Sequence, residues 1–136
     1  MTQFRPVTPE FAVSPQIAVD DVVTAKGLGF TLVINNRPDG ESPDQPASAA
    51  IEAAAKSEGL GYAHIPVVGR PTLDQAAEMS RVLAASNGKA LAYCRSGTRS
   101  ITAWALGELA AGDMDRNDLI RLAAAAGYDL AGVLPP

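Results

Sequence analysis

Residues 92–100 read AYCRSGTRS. An apolar run, Ala90–Tyr93, leads into Cys94, the only cysteine of the chain, and a helical pattern opens at Ser100. A strand that passes through a tight loop into a helix is a building unit of parallel α/β sheets. It is also an anion site in outline. The free N–H groups of a helix start and the loop amides converge on one spot and favour negative charge there. Gly97 lets the backbone curl without a Cβ clash. Ser96 and Thr98 complete the loop with hydroxyls and amides. Arg95 and Arg99 add positive charge, and a guanidinium offers a two-pronged fork to an oxyanion. Ser100 is placed to donate a hydrogen bond to the sulfur. All of this stabilises a thiolate, the nucleophilic form of cysteine. A cysteine serving only as a small buried hydrophobe would not require that company.

Outward from this loop the chain alternates strand and helix. Phe11–Val13 reads as a short strand broken by Ser14-Pro15. Val19–Lys26 reads as a helix, with Asp20 and Asp21 at its positive end and Gly27 and Gly29 closing it. Thr31–Asn35 is a β-branched strand, and Arg37-Pro38-Asp39-Gly40 is turn chemistry. Ser48 caps an Ala-rich helix running to about Gly59, with Ile51, Ala54 and Ala55 on one face. Tyr62–Val68 is the next strand. Thr72 and Gln75 form a capping box that opens a helix to about Ala85. Ser100–Ala111 carries Ile101, Trp104, Ala105 and Leu109 at core spacing. Asp115 caps a last helix ending at Gly127, and Tyr128–Pro136 reads as a turn and an exposed end. The expectation is an α/β fold over residues 1–136 as a single domain, a small mostly parallel sheet flanked by helices. Functional groups of such sheets gather at the carboxyl ends of the strands. Asn35–Glu41 and Cys94–Arg99 both leave such ends and are expected to face one crevice.

Composition narrows the partners. The chain has 136 residues, 47% hydrophobic and 19% charged, with net charge −4. The acidic balance and the lack of a basic stripe argue against nucleic acid and against an anionic membrane surface. One cysteine excludes an internal disulfide and, with one histidine, makes a zinc site implausible. No cofactor is implied. The N-terminus, MTQFRPVTPEFAVSP, lacks the apolar run of a signal peptide, and no apolar stretch approaches the roughly 20 residues of a membrane span. The expected compartment is the cytoplasm.

The loop resembles two known active-site loops. Protein tyrosine and dual-specificity phosphatases place five residues between cysteine and arginine, followed by Ser or Thr. Rhodanese-type sulfurtransferases use a shorter loop. Cys94-Arg95-Ser96-Gly97-Thr98-Arg99 leaves four residues between Cys94 and Arg99 and so fits the rhodanese pattern. Together, FAVSPQ (11–16), VINNRPDGE (33–41), YAHIPV (62–67) and residues 92–100 resemble the beta-lactamase-hydrolase-like family over roughly residues 4–112. The resemblance implies a fold similar to dual-specificity phosphatases and an activity described as sulfur transfer. It also implies a partner, because some members are fused to a metallo-hydrolase that oxidises persulfides.

Sulfur transfer is the leading expectation. Cys94 would attack a small anionic or persulfide substrate, carry the sulfur with Arg99 and the loop amides around it, and pass it to an external thiol or cyanide. A cysteine-dependent phosphatase is the first alternative and a non-catalytic anion-binding module the second. Against the phosphatase stands the loop Ile65–Thr72, which offers no general acid; Asp74 comes later, in the first turn of a helix. Arg37 is expected to steer the anion, and Asp39 to orient Arg37 or Arg99 or to act as acid. His64 is expected to play a structural part.

Overall fold

A computed structural model of the protein describes residues 3–136; Met1 and Thr2 lie outside the described residues. The elements in chain order are β1 (Arg5–Thr8), β2 (Phe11–Ser14), α1 (Val19–Gly27), β3 (Phe30–Asn35), α2 (Ser48–Ser57), β4 (Gly61–His64), α3 (Leu73–Ala85), β5 (Lys89–Tyr93), α4 (Thr98–Ala111) and α5 (Arg116–Ala125). They form one sheet in the order β1-β2-β5-β3-β4. β2, β5, β3 and β4 run parallel, and β1 is an antiparallel edge. The α/β expectation holds, with β1 added. β1 is a strand that alternation did not reveal, because it is four residues long and contains Pro6, tolerated at a sheet edge.

β5 lies at the centre of the sheet, paired with both β2 and β3. Alternate residues of the parallel strands bury on opposite faces. Leu32, Ile34, Ala90 and Ala92 face α3, α4 and α5, while Val33 and Tyr93 face Ile17, Val22, Ile51 and Ala55. α4 is buried through Ser100–Gly107, which explains why its core spacing was legible. The Trp104 indole stacks on Phe11 with ring centroids 5.3 Å apart.

The larger departures from the sequence reading each have a physical reason. β4 ends at His64 rather than Val68, because Pro66 supplies no N–H. The extended path nevertheless continues, with the Ile65 and Val67 amides donating to the Asn35 and Asn36 carbonyls at 2.8 and 3.0 Å. α4 begins at Thr98, not Ser100, because Gly97 turns the chain in the left-handed region, φ 93°. The tail is not an exposed end: Tyr128, Leu130 and Leu134 are buried in the core under α4 and α5. No helix among the described residues is long and apolar enough to cross a membrane.

The buried tail yields a direct expectation. Leu130→Ala should lower the unfolding free energy by about 2–5 kcal/mol, as for a core leucine. Urea denaturation measures it, and a change within about 0.5 kcal/mol, as for a surface residue, would mean that the tail does not pack.

Candidate active site

Cys94 is the residue directly after β5, at the carboxyl end of the central strand, and it is fully buried. Its Sγ accepts a hydrogen bond from the Gly97 amide, 3.1 Å. The first bond that closes the α4 helix is from Ile101 N–H to the Gly97 carbonyl. The amides of Thr98, Arg99 and Ser100 therefore precede the helical ladder and form its positive end beside the sulfur. Thr98 N–H is shared with the Ser96 hydroxyl at 3.3 Å, and Ser96 Oγ in turn donates to Thr98 Oγ1 at 3.0 Å. The loop is tied to its neighbours by Gln16 N–H, which donates to the Arg95 carbonyl. The Arg95 side chain is exposed.

The second segment, after β3, meets the first through a residue that the sequence reading treated only as a loop boundary. Glu41 binds two arginines at once. Arg99 donates to both Glu41 oxygens at 2.8 and 2.9 Å and to the Val67 carbonyl at 2.7 Å. Arg37 Nε donates to Glu41 Oε1 at 2.9 Å. Its remaining nitrogens reach Gln16 Oε1 and Ser42 Oγ. Arg37 is only 4% exposed, and this bonding explains how its charge is buried. Arg37 therefore does not stand free to steer an anion; it braces the floor beneath Glu41. Arg99 lies at the rim. The Glu41 carboxylate favours its charged form most, burial opposes it, and the neighbouring Cys94 adds to it. Glu41 is held down to about 2, first by the Arg99 hydrogen bond, against a smaller opposing effect of burial, and then by Arg37.

Asp39 stands elsewhere than expected. Its Oδ1 accepts from Ser48 N–H at 2.7 Å and its Oδ2 from Ser48 Oγ at 2.8 Å. It caps α2 from the preceding loop and, among the described residues, makes no hydrogen bond or ion pair with Arg37 or Arg99. Ser48 is accordingly the first helical residue, not the cap, and Ala47 holds the cap position without a side-chain bond. The Ser48 hydrogen bonds draw the Asp39 carboxyl below its ordinary range, which makes it a poor acid at neutral pH. His64 Nε2 lies 2.9 Å from the Arg37 carbonyl; since a carbonyl only accepts, that nitrogen carries the proton. The Ser100 hydroxyl is buried without a hydrogen-bond partner among the described residues, so the bond to sulfur read from the sequence is not made. The Gly97 amide supplies it instead. The two loops do meet, and the link is Glu41 rather than Asp39. A hollow of about 640 Å³ lined by Glu10, Trp104, Glu108 and Asp113 contains none of these groups.

Two outcomes test this geometry. A carboxyl held low in the folded state adds stability above its unfolded value, near 4.5, and loses it as pH falls toward about 2. Urea unfolding across pH 5 to 2 should therefore fall less steeply in Glu41→Gln than in the parent, and parallel curves would refute the pairing. Asp39→Asn should lower the melting temperature and leave the reactivity of Cys94 unchanged, as expected of a helix cap.

The sequence and the fold have counterparts among known proteins. Residues 3–112 match the family described as beta-lactamase hydrolase-like protein, phosphatase-like domain. A beta-lactamase hydrolase-like protein of Xylella fastidiosa is 36% identical over 125 residues, covering 91% of this chain and 29% of that protein. The chain thus spans under a third of the length of that curated relative. A crystal structure of a candidate phosphatase from Neisseria meningitidis superposes with a TM-score of 0.86 at 30% identity, covering 97% of this chain and 94% of that one. A kinase associated phosphatase, crystallised with its catalytic-site cysteine replaced by serine, superposes with a TM-score of 0.70 at 15% identity, covering 90% and 80%. That likeness shows a shared fold, the α/β fold of cysteine-based phosphatases. With the family match spanning most of the residues, the chain belongs to the phosphatase-like domain family of the beta-lactamase hydrolase-like proteins.

Proposed function

We propose that this domain is a cysteine-dependent phosphatase that hydrolyses phosphate monoesters through a Cys94 thiophosphate. The observation that carries the reading is the placement of Cys94 Sγ. It accepts the Gly97 amide beside the open first turn of α4, in a chain of a phosphatase-like family. A phosphoryl group attacked by that sulfur finds amides where its equatorial oxygens gather charge. Arg99 is the cation at the rim. To bind an oxyanion it exchanges part of its bonding to Glu41, which keeps the guanidinium in plane until the substrate arrives. The S–P bond forms as the ester P–O bond breaks. Water then attacks phosphorus, releasing phosphate and the thiolate.

Among the described residues no carboxylic acid stands ready to protonate the leaving oxygen. Glu41, the carboxylate beside Arg99, is held down to about 2 and is ionised at neutral pH. Asp39 is engaged at α2, and Asp74 sits in the first turn of α3. The reading therefore favours aryl phosphates, whose leaving groups depart without a proton, over alkyl phosphates. Phosphate rather than sulfane sulfur becomes the leading substrate here because both the family and the solved relatives point to phosphatases.

One observation keeps sulfur transfer as the second reading: only four residues separate Cys94 from Arg99, which makes a narrow cradle suited to a single terminal sulfur. In that case Cys94 would take sulfane sulfur from a persulfide, releasing a thiolate, and hand it to an external thiol. A persulfide-oxidising metallo-hydrolase would then be the partner. Either chemistry needs the thiol reduced, which fits a cytoplasmic setting.

Matched assays separate the readings. The parent should hydrolyse an aryl phosphate, Cys94→Ser should fall to the uncatalysed rate, and Arg99→Ala should lose about 10²–10³-fold in kcat, as for one lost oxyanion partner. A stable +32 Da adduct formed from glutathione persulfide, without phosphate release, would overturn the phosphatase reading in favour of sulfur transfer. Anion binding without either turnover would leave a receptor.

A further inference from the structure

Tyr128 follows α5 and lies outside residues 3–112, the part matched by the family. Its hydroxyl donates to the Ser96 carbonyl at 2.8 Å. That carbonyl and the Gly97 N–H belong to the same peptide unit. In a planar trans peptide the two point in opposite directions, and no cis bond occurs among the described residues. The Gly97 N–H is the group that meets Cys94 Sγ at 3.1 Å. Tyr128 thus grips the outer end of the peptide whose inner end holds the sulfur.

Tyr128 is itself firmly placed. Its amide donates to the Ala123 carbonyl at 2.9 Å. The Arg5 guanidinium lies 5.3 Å from its ring centroid, and Arg5 also reaches the Ala126 carbonyl. Gly97 is shaped to this contact. A Cβ there would run into the Tyr128 hydroxyl, and its φ of 93° disfavours any other residue. Burial pushes the Tyr128 phenol up, so its hydroxyl keeps its proton at neutral pH and can donate.

We propose that Tyr128 is a positioning residue for Cys94: by fixing the Ser96–Gly97 peptide at its carbonyl, it aims the Gly97 amide at the sulfur and strengthens its hold on the thiolate. A hydrogen bond accepted by a carbonyl polarises its peptide and makes the N–H a better donor. The inference concerns the thiolate alone and holds whether phosphate or sulfane sulfur is the substrate.

Because Cys94 is the only cysteine, the ultraviolet absorbance of its thiolate can be followed against pH, with Cys94→Ser as the blank. Arg99 from α4 and Tyr128 itself both interact with the charge on Cys94, and Arg99 is untouched in Tyr128→Phe. That variant removes one oxygen and keeps the ring under Arg5. Its half-transition should move upward, equivalent to a roughly three- to tenfold lower ratio of thiolate to thiol, the range of one hydrogen bond. A lower melting temperature with an unmoved half-transition would overturn the proposal and leave Tyr128 as packing only. Should Tyr128→Phe fail to fold, amide exchange in the parent decides: the Gly97 amide should exchange far more slowly than that of exposed Gly40, and equal rates would overturn the proposal.

Discussion

Between Tyr93, the last residue of the central strand, and Thr98, the first residue of the most buried helix, the chain has four residues in which to turn. Gly97 makes that turn possible by taking φ 93°, a region costly for a residue with a Cβ. The rest of the site depends on this single backbone state. It sets the start of α4, aims the Gly97 N–H at Cys94 Sγ, and leaves just enough room for the Tyr128 hydroxyl. The strand positions the sulfur, the helix start supplies the field, and the glycine joins the two.

Around this turn, charge is organised in two layers. Arg37 is deep and bonded through each of its three guanidinium nitrogens, so its role is to brace Glu41. Arg99 is shallower and donates both to the same carboxylate and to the Val67 carbonyl. A guanidinium at a site rim loses much of its bonding advantage if it must first be ordered by its ligand. Here the ordering is done by Glu41 before any ligand arrives. Under the proposed function the same carboxylate would compete with an incoming anion, so Glu41 would both order Arg99 and oppose its ligand. Because the Arg99 charge sits next to Cys94, the strength of that pairing also reaches the nucleophile.

The loop spacing and the fold point to different chemistries, and the conflict has a physical basis. Spacing reports how wide the cradle is, whereas the fold reports where strand ends, helix starts and neighbouring loops can place groups around it. The relatives share the fold at TM-scores of 0.86 and 0.70. Arg99, one residue nearer to Cys94 than in the phosphatase pattern, directs its guanidinium to Glu41 in the β3–α2 loop. A short loop can thus retain a cation at its rim, provided that a partner outside the loop holds it.

Much of this was written locally. The alternation of strands and helices, the Thr72–Gln75 capping box, the Asp115 cap and the anion-seeking cysteine loop all rest on neighbours within a few residues. Local sterics and hydrogen bonding decide them without reference to the rest of the chain. The exceptions depend on contacts across long sequence separations. Asp39 read as a turn residue or as a group orienting Arg37 or Arg99 or serving as acid, and became the cap of a helix nine positions on. Glu41 read as loop and became the bridge to Arg99, 58 positions away. Tyr128 read as part of an exposed tail and became a brace on Ser96, 32 positions back. Sequence alone determined the elements and the tight loop that carries Cys94 into a helix, because each follows from short-range periodicity and backbone preference. Which charges pair and which side chains hold the loop were decided only by tertiary structure, since packing alone brings those distant groups within hydrogen-bond reach.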